Sequence, residues 1–243
     1  MPSDPHAAPQ SGTEHEPLLG RPGDVSQGRT DPILKNLITG TAPLAQAGGL
    51  ILTALVFGGV FTHKLLIPFS LHPLLNAFAV LVGIQAVLIP QPTHTAAQKR
   101  IGARVHAAFW ATALMAFVGA LSAVEVHKKR AGLGHFESWH AILGVAIYAL
   151  LVLQAAVGAT MYFFPAVYGG VDNAKSLYKY HRITGYTILS LLLVNVVLAT
   201  RTYYGGTILG IKTWATVLGA VLVVAGVTPR IKKQKVRLWT SSS

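Results

Sequence analysis

Four histidines, His72, His106, His140 and His181, each stand near the start of a long apolar segment. Imidazole is expensive in hydrocarbon, so an ionisable ring placed there is a functional candidate. A neutral ring can ligate a metal or relay a proton. At a membrane interface it can also serve only as a wet polar anchor. Which of these applies depends on how the segments carrying the four rings are brought together.

The segments themselves are membrane spans. The chain has 243 residues, 52% of them hydrophobic and only 12% charged, with a positive mean hydropathy. That balance excludes an ordinary soluble α/β enzyme. Windows of about 20 apolar residues predict six helices, at 45–65, 71–90, 102–124, 140–164, 181–200 and 207–228. Residues 1–44 are a different material, rich in Pro, Gly, Ser and Gln and holding five of the eight acids. They read as a disordered cytoplasmic tail, without the basic and apolar regions of a cleavable signal. Residues 229–243 read as a basic cytoplasmic tail. Charge placement sets the orientation: 14 Lys and Arg fall on the side of both termini against 6 on the other, so both termini are expected in the cytoplasm. The net charge of +12 is then a rim facing anionic lipid, with no soluble basic face for nucleic acid.

Antiparallel connection of consecutive spans pairs the histidines. His72 and His140 fall at the non-cytoplasmic face, His106 and His181 at the cytoplasmic face. In a bundle of spans 2–5, each pair meets across the interior. Two imidazoles across one iron hold a b-type haem by ligation alone, and two such haems make a path across about 30 Å of hydrocarbon. With no cysteine in the chain, thiolate sites, iron–sulfur clusters and covalent haem attachment are excluded. The segments Trp139–Gly144 and Tyr180–Gly185 echo each other 41 residues apart, each an aromatic, a histidine, and a glycine four residues on. Those glycines are expected to open room beside the ligand for a flat ring. Asn76 is expected to bond a propionate or a water, and Ser70 to cap the second span. The competing reading is a histidine-based proton or metal transporter without haem, against which no acid stands within the middle of any span.

The stretches FSLHPLLNAF around His72, KRIGARVH around His106, VHKKRAGLGHFESWHAILG around His127 and His140, and LYKYHRITGY around His181 resemble the cytochrome b561 family of transmembrane reductases. The resemblance covers residues 45–228. It implies an all-α membrane protein of six helices with a four-helix di-haem core, usually a homodimer. Two haem b groups per chain would pass electrons from cytoplasmic ascorbate to monodehydroascorbate or a ferric chelate on the other side. By position the haem ligands are His72 with His140 and His106 with His181. Basic residues near the inner pair, Lys99, Arg100, Arg104 and Arg182, match the family in type, and His127 occupies the family's loop position on the far side. Glu125, His135 and Glu137 share that loop, and Tyr178 and Tyr180 flank the inner site. Finally, Glu14–Leu19 fits an acidic dileucine sorting pattern, which points to a vacuolar, lysosomal or late-endosomal membrane.

Overall fold

The computed structural model describes residues 24–236. It contains six long helices and, among the described residues, no strand. They are α1 (Ala42–Phe61), α2 (Leu71–Leu88), α3 (Ala96–Ala131), α4 (Trp139–Phe163), α5 (Val171–Ala199) and α6 (Thr213–Val227). All six predicted spans are present, and each of these helical regions is long and apolar enough to cross a membrane. Mid-span residues such as Met115, Val118, Val152, Leu153 and Val221 are exposed, as lipid-facing side chains must be. The chain is a multi-pass membrane protein.

The helices sort into pairs. α2 packs along α3, α4 along α5 and α1 along α6, while α3 and α4 touch only sparsely. In lipid, apolar burial gives helices no reason to associate, so close packing of small residues and buried polar bonds must do it. A β-carbon on Gly48 would run into the backbone of Gly219 and Val223, and one on Gly226 into the backbone of Ala45. Thr41 Oγ1 donates to Gly226 O at 2.8 Å across the same α1–α6 seam. The α1–α2 contact carries a reciprocal amide pair, Gln46 with Gln85, at 2.6 and 3.0 Å. On α2–α3, Gly83 admits the Trp110 indole and Gly119 admits Leu75.

Two helices outrun the predicted spans. α3 begins at a capping box, with Thr95 accepting from Gln98 N, and ends at left-handed Gly132 after Lys128, Lys129 and Arg130. Its 36 residues reach about 54 Å, well beyond a hydrocarbon core. α5 starts ten residues before His181. The polar turns at both N-termini therefore continue the helix out of the membrane, and His106 and His181 lie nearly three turns inside their helices. His72 and His140 are second residues of theirs. Ser70 does not cap α2: its buried hydroxyl accepts from Leu66 N at 2.9 Å, tying down the preceding loop instead.

The described parts of both stretches read as tails are folded. Asn36, fully buried, donates to Ile89 O and to Gln27 Oε1. Gln27 N donates to Pro92 O, and Gln98 Nε2 to Gly28 O. From the C-terminal segment, Arg230 Nη2 donates to the carbonyls of Asn36 and Leu88, and Gln234 to Asp24. Residues 24–41, the α2–α3 loop and residues 228–236 thus form one polar cap. Residues 24–41 read as disorder because low hydropathy does not reveal hydrogen bonds that join partners up to 210 residues apart. The dileucine pattern at 14–19 lies outside the described residues.

Candidate functional site: two histidine pairs between the helix pairs

The sparse seam between the α2/α3 pair and the α4/α5 pair is where the four histidines meet. His72 of α2 faces His140 of α4 with ring centroids 6.2 Å apart, and His106 of α3 faces His181 of α5 at 6.5 Å. Metal–imidazole bonds are about 2.0–2.1 Å long; with the ring radius added on each side, two rings ligating one metal from opposite sides have centroids roughly 6.3 Å apart. Both pairs stand at that separation, with planes crossing at 84° and 74°.

Three of the rings are held the same way. His72 Nδ1 bonds Ala120 O at 3.0 Å, His106 Nδ1 bonds Ala86 O at 2.7 Å, and His140 Nδ1 bonds Asn195 O at 3.0 Å. A carbonyl can only accept, so each Nδ1 carries the proton and each Nε2 keeps its lone pair for a metal. The acceptors follow a rule. Ala86 lies 14 residues after His72, Ala120 14 after His106, and Asn195 14 after His181. Each histidine thus leans on the helix that carries a histidine of the other level. Fourteen residues at 1.5 Å put the two levels about 21 Å apart along the helix axes.

His181 breaks the pattern. The position matching the rule is Gln154, whose amide instead donates to the backbone oxygen of His181 at 2.6 Å and accepts from Thr184 Oγ1 at 2.8 Å. His181 Nδ1 is buried with no hydrogen-bond partner. Its ring lies against Gly158, where a β-carbon would come within 2.8 Å of Cε1. The clearance expected at Gly144 and Gly185 is used differently: a β-carbon there would meet Asn195 Nδ2 and Gln154 Nε2, each at 3.1 Å. These glycines seat the amide of the facing helix, because antiparallel α4 and α5 approach closely, and the ring clearance falls to Gly158. Asn76 is likewise taken, donating to His72 O at 2.8 Å and accepting from Tyr148 Oη at 2.9 Å.

Near His72 an aromatic cluster leads away from the pair. Phe69 lies parallel to His72 (6.3 Å, 4°) and stacks on His127 at 4.7 Å, with Tyr204 edge-on at 4.6 Å. His127 is thus brought to the His72/His140 end. Close by, exposed Glu125 near the end of α3 pairs with His135 of the loop that follows, at 2.8 Å. At the other end, Lys99 and Arg182 line one cavity of about 90 Å³, whereas Arg100 and Arg104 are exposed on α3 outside its lining. Tyr180 is exposed under the Lys179 ammonium. Sequence reasoning gave no role to Phe69, Gln91, Tyr186 and Tyr204; Phe69 and Tyr186 lie at the ends of quoted stretches, but only the fold shows what their rings touch.

Two facing imidazoles are an incomplete set for a bare ion, and among the described residues no cluster of three or more His, Asp or Glu exists to complete one. A group that brings ligands of its own and would take only two imidazoles from the protein suits such a pair. The class so defined is a helical-bundle membrane protein with two stacked histidine pairs. Consistent with this, the sequence model described as eukaryotic cytochrome b561 matches residues 71–204, which span α2 to α5 and the following turn. The chain belongs to this family of haem b proteins. It is also 29% identical over 130 residues to the transmembrane ascorbate ferrireductase 2 of Arabidopsis thaliana, an alignment covering 52% of this chain and 54% of that relative. The chain therefore spans about half the length of that relative.

Proposed function

We propose that this protein carries electrons across a membrane from cytoplasmic ascorbate to monodehydroascorbate or a ferric chelate on the other side. His72 with His140, and His106 with His181, would each hold one haem b by its iron, and the bound haem would supply a one-electron carrier at each level. The observation that carries this reading is the repeated geometry: two imidazole pairs at 6.2 and 6.5 Å, set apart by the same 14-residue register. The chain's likeness to a transmembrane ascorbate ferrireductase of Arabidopsis agrees with it. No acid in mid-span and, among the described residues, no third ligand supports the transporter alternative.

The chain's own side chains then have distinct duties. Backbone carbonyls fix three rings so that Nε2 faces the seam. Lys99 and Arg182 supply positive charge for an anionic donor at the His106/His181 end, which the lysine and arginine bias puts in the cytoplasm. Arg100 and Arg104 add to the field drawing the anion to that end. On the far side Phe69 packs between His72 and His127, so a substrate held at His127 would lie one aromatic ring from the ligand. Lys128, Lys129 and Arg130 favour an anionic acceptor there. A homodimer, a vacuolar, lysosomal or late-endosomal membrane, and no role in nucleic-acid binding complete the proposal.

The test uses purified protein sealed into vesicles with ferric citrate or monodehydroascorbate trapped inside. Ascorbate added outside should bleach the ferric b-type spectrum and reduce the trapped acceptor. A colourless protein, or one that stays oxidised, would sink the reading.

A further inference from the structure

Tyr148 is a polar aromatic in the middle of α4 to which the proposed electron path gives no duty. It lies eight residues after His140, so about 12 Å along the helix toward the other level. Helical side chains lean toward the N-terminus of their helix. Its hydroxyl reaches back that way and meets Asn76 of α2 at 2.9 Å. The ring packs edge-on against Phe117 of α3, with centroids 5.6 Å apart. One α4 side chain thus touches both helices of the opposite half, across a seam where α3 and α4 meet sparsely. Among the described residues no other hydrogen bond joins α2 to α4.

That bond fixes more than a distance. A backbone carbonyl only accepts, so the Asn76 atom that meets His72 O at 2.8 Å is the amide nitrogen. The atom facing Tyr148 is then Oδ1, and the hydroxyl donates to it. The same nitrogen stands 3.4 Å from His72 Nδ1, whose proton goes to Ala120 O at 3.0 Å. Turned over, the amide would bring its oxygen to that spot. It would then oppose the His72 carbonyl and compete with Ala120 O for the ring proton. His72 is moreover the second residue of a helix without a side-chain cap, where backbone bonds hold a residue least. We propose that Tyr148 is a positioning residue for the His72/His140 level: by donating across the seam it sets the Asn76 amide, and the amide sets the His72 ring. That His72 holds haem iron rests on the function proposed above. Hydrogen-bonded neighbours of a metal-ligating imidazole fix its orientation and basicity. Loss of the strut therefore reaches the level it supports and spares His106 and His181, which lie on α3 and α5.

The test is Tyr148→Phe in the full-length, haem-loaded protein, which removes the hydroxyl and keeps a ring against Phe117. Electron paramagnetic resonance of the oxidised protein should show two low-spin ferric signals, and His72→Ala identifies that of its own level by its loss. Tyr148→Phe should shift this signal and leave the other in place. It should also speed transfer of that haem to apomyoglobin about tenfold. Asn76→Ala should shift the same signal, and adding Tyr148→Phe to it should change nothing more. Should Asn76→Ala fail to hold the haem, Asn76→Ser takes its place in the cycle. Two unmoved signals, even with a lower melting temperature, would reduce the bond to packing and overturn the inference. So would a shift confined to the His106/His181 level, or independent effects of the two substitutions. These readouts need haem but no reduction by ascorbate. If both signals are present and ascorbate never reduces the protein, the proposed function fails and the inference stands; a colourless protein would overturn both.

Discussion

The imidazole of His106 is held by Ala86 O at 2.7 Å, and on the proposed function haem iron would hold it a second time. Removing any one ring of a pair takes away half the axial set at that level. His106→Ala or His181→Ala should lower haem per chain by about half, measured by pyridine haemochrome, and abolish reduction by ascorbate. His72→Ala or His140→Ala should lose the other haem, keep ascorbate reduction of the remaining one, and stop delivery to the trapped acceptor. At Gly158 the effect is steric. A β-carbon 2.8 Å from His181 Cε1 forces the ring to move, so Gly158→Ala should weaken retention of one haem roughly tenfold, read by competition with apomyoglobin. Gly144→Ala meets only an amide at 3.1 Å and should retain both.

At the scale of elements, the α1–α6 seam and the α2–α5 core answer to different forces. α1 and α6 meet backbone to backbone at Gly48, Gly219 and Gly226, with Ala45 opposite. Gly226→Val should cost about 1–3 kcal/mol of stability by overpacking, seen as a lower melting temperature, while haem content is unchanged because both histidine pairs lie on other helices. The six spans and the alternation of the four histidines were legible in the sequence, since hydropathy and helix direction need no knowledge of side-chain contacts. The rule of 14 residues was not: its acceptors are main-chain carbonyls of Ala86, Ala120 and Asn195, which leave no mark on residue type. Phe69 was hidden for another reason. It becomes a bridge only when the end of α3 brings His127 against it. Arg230 read as one more tail charge because its partners Asn36 and Leu88 lie 194 and 142 residues away.

For the whole molecule, the proposed orientation has both ends on one side after an even number of crossings, and it takes that side as the cytoplasm from the 14-to-6 bias of lysine and arginine. Epitope tags at residue 1 and residue 243 should therefore both be cut by protease added to permeabilised cells with intact organelles. A tag between Gly132 and Ser138 should survive. The molecule is also unevenly joined: α2 with α3 and α4 with α5 are well-packed halves, but the halves share little contact with each other. Haem held between the halves by the histidine pairs, as proposed, would act as the mortar between them, and mass action would then make folding depend on porphyrin supply. Cells starved of iron-porphyrin should then hold less of this polypeptide at unchanged messenger level, its unfilled copies cleared by proteolytic surveillance before they mature.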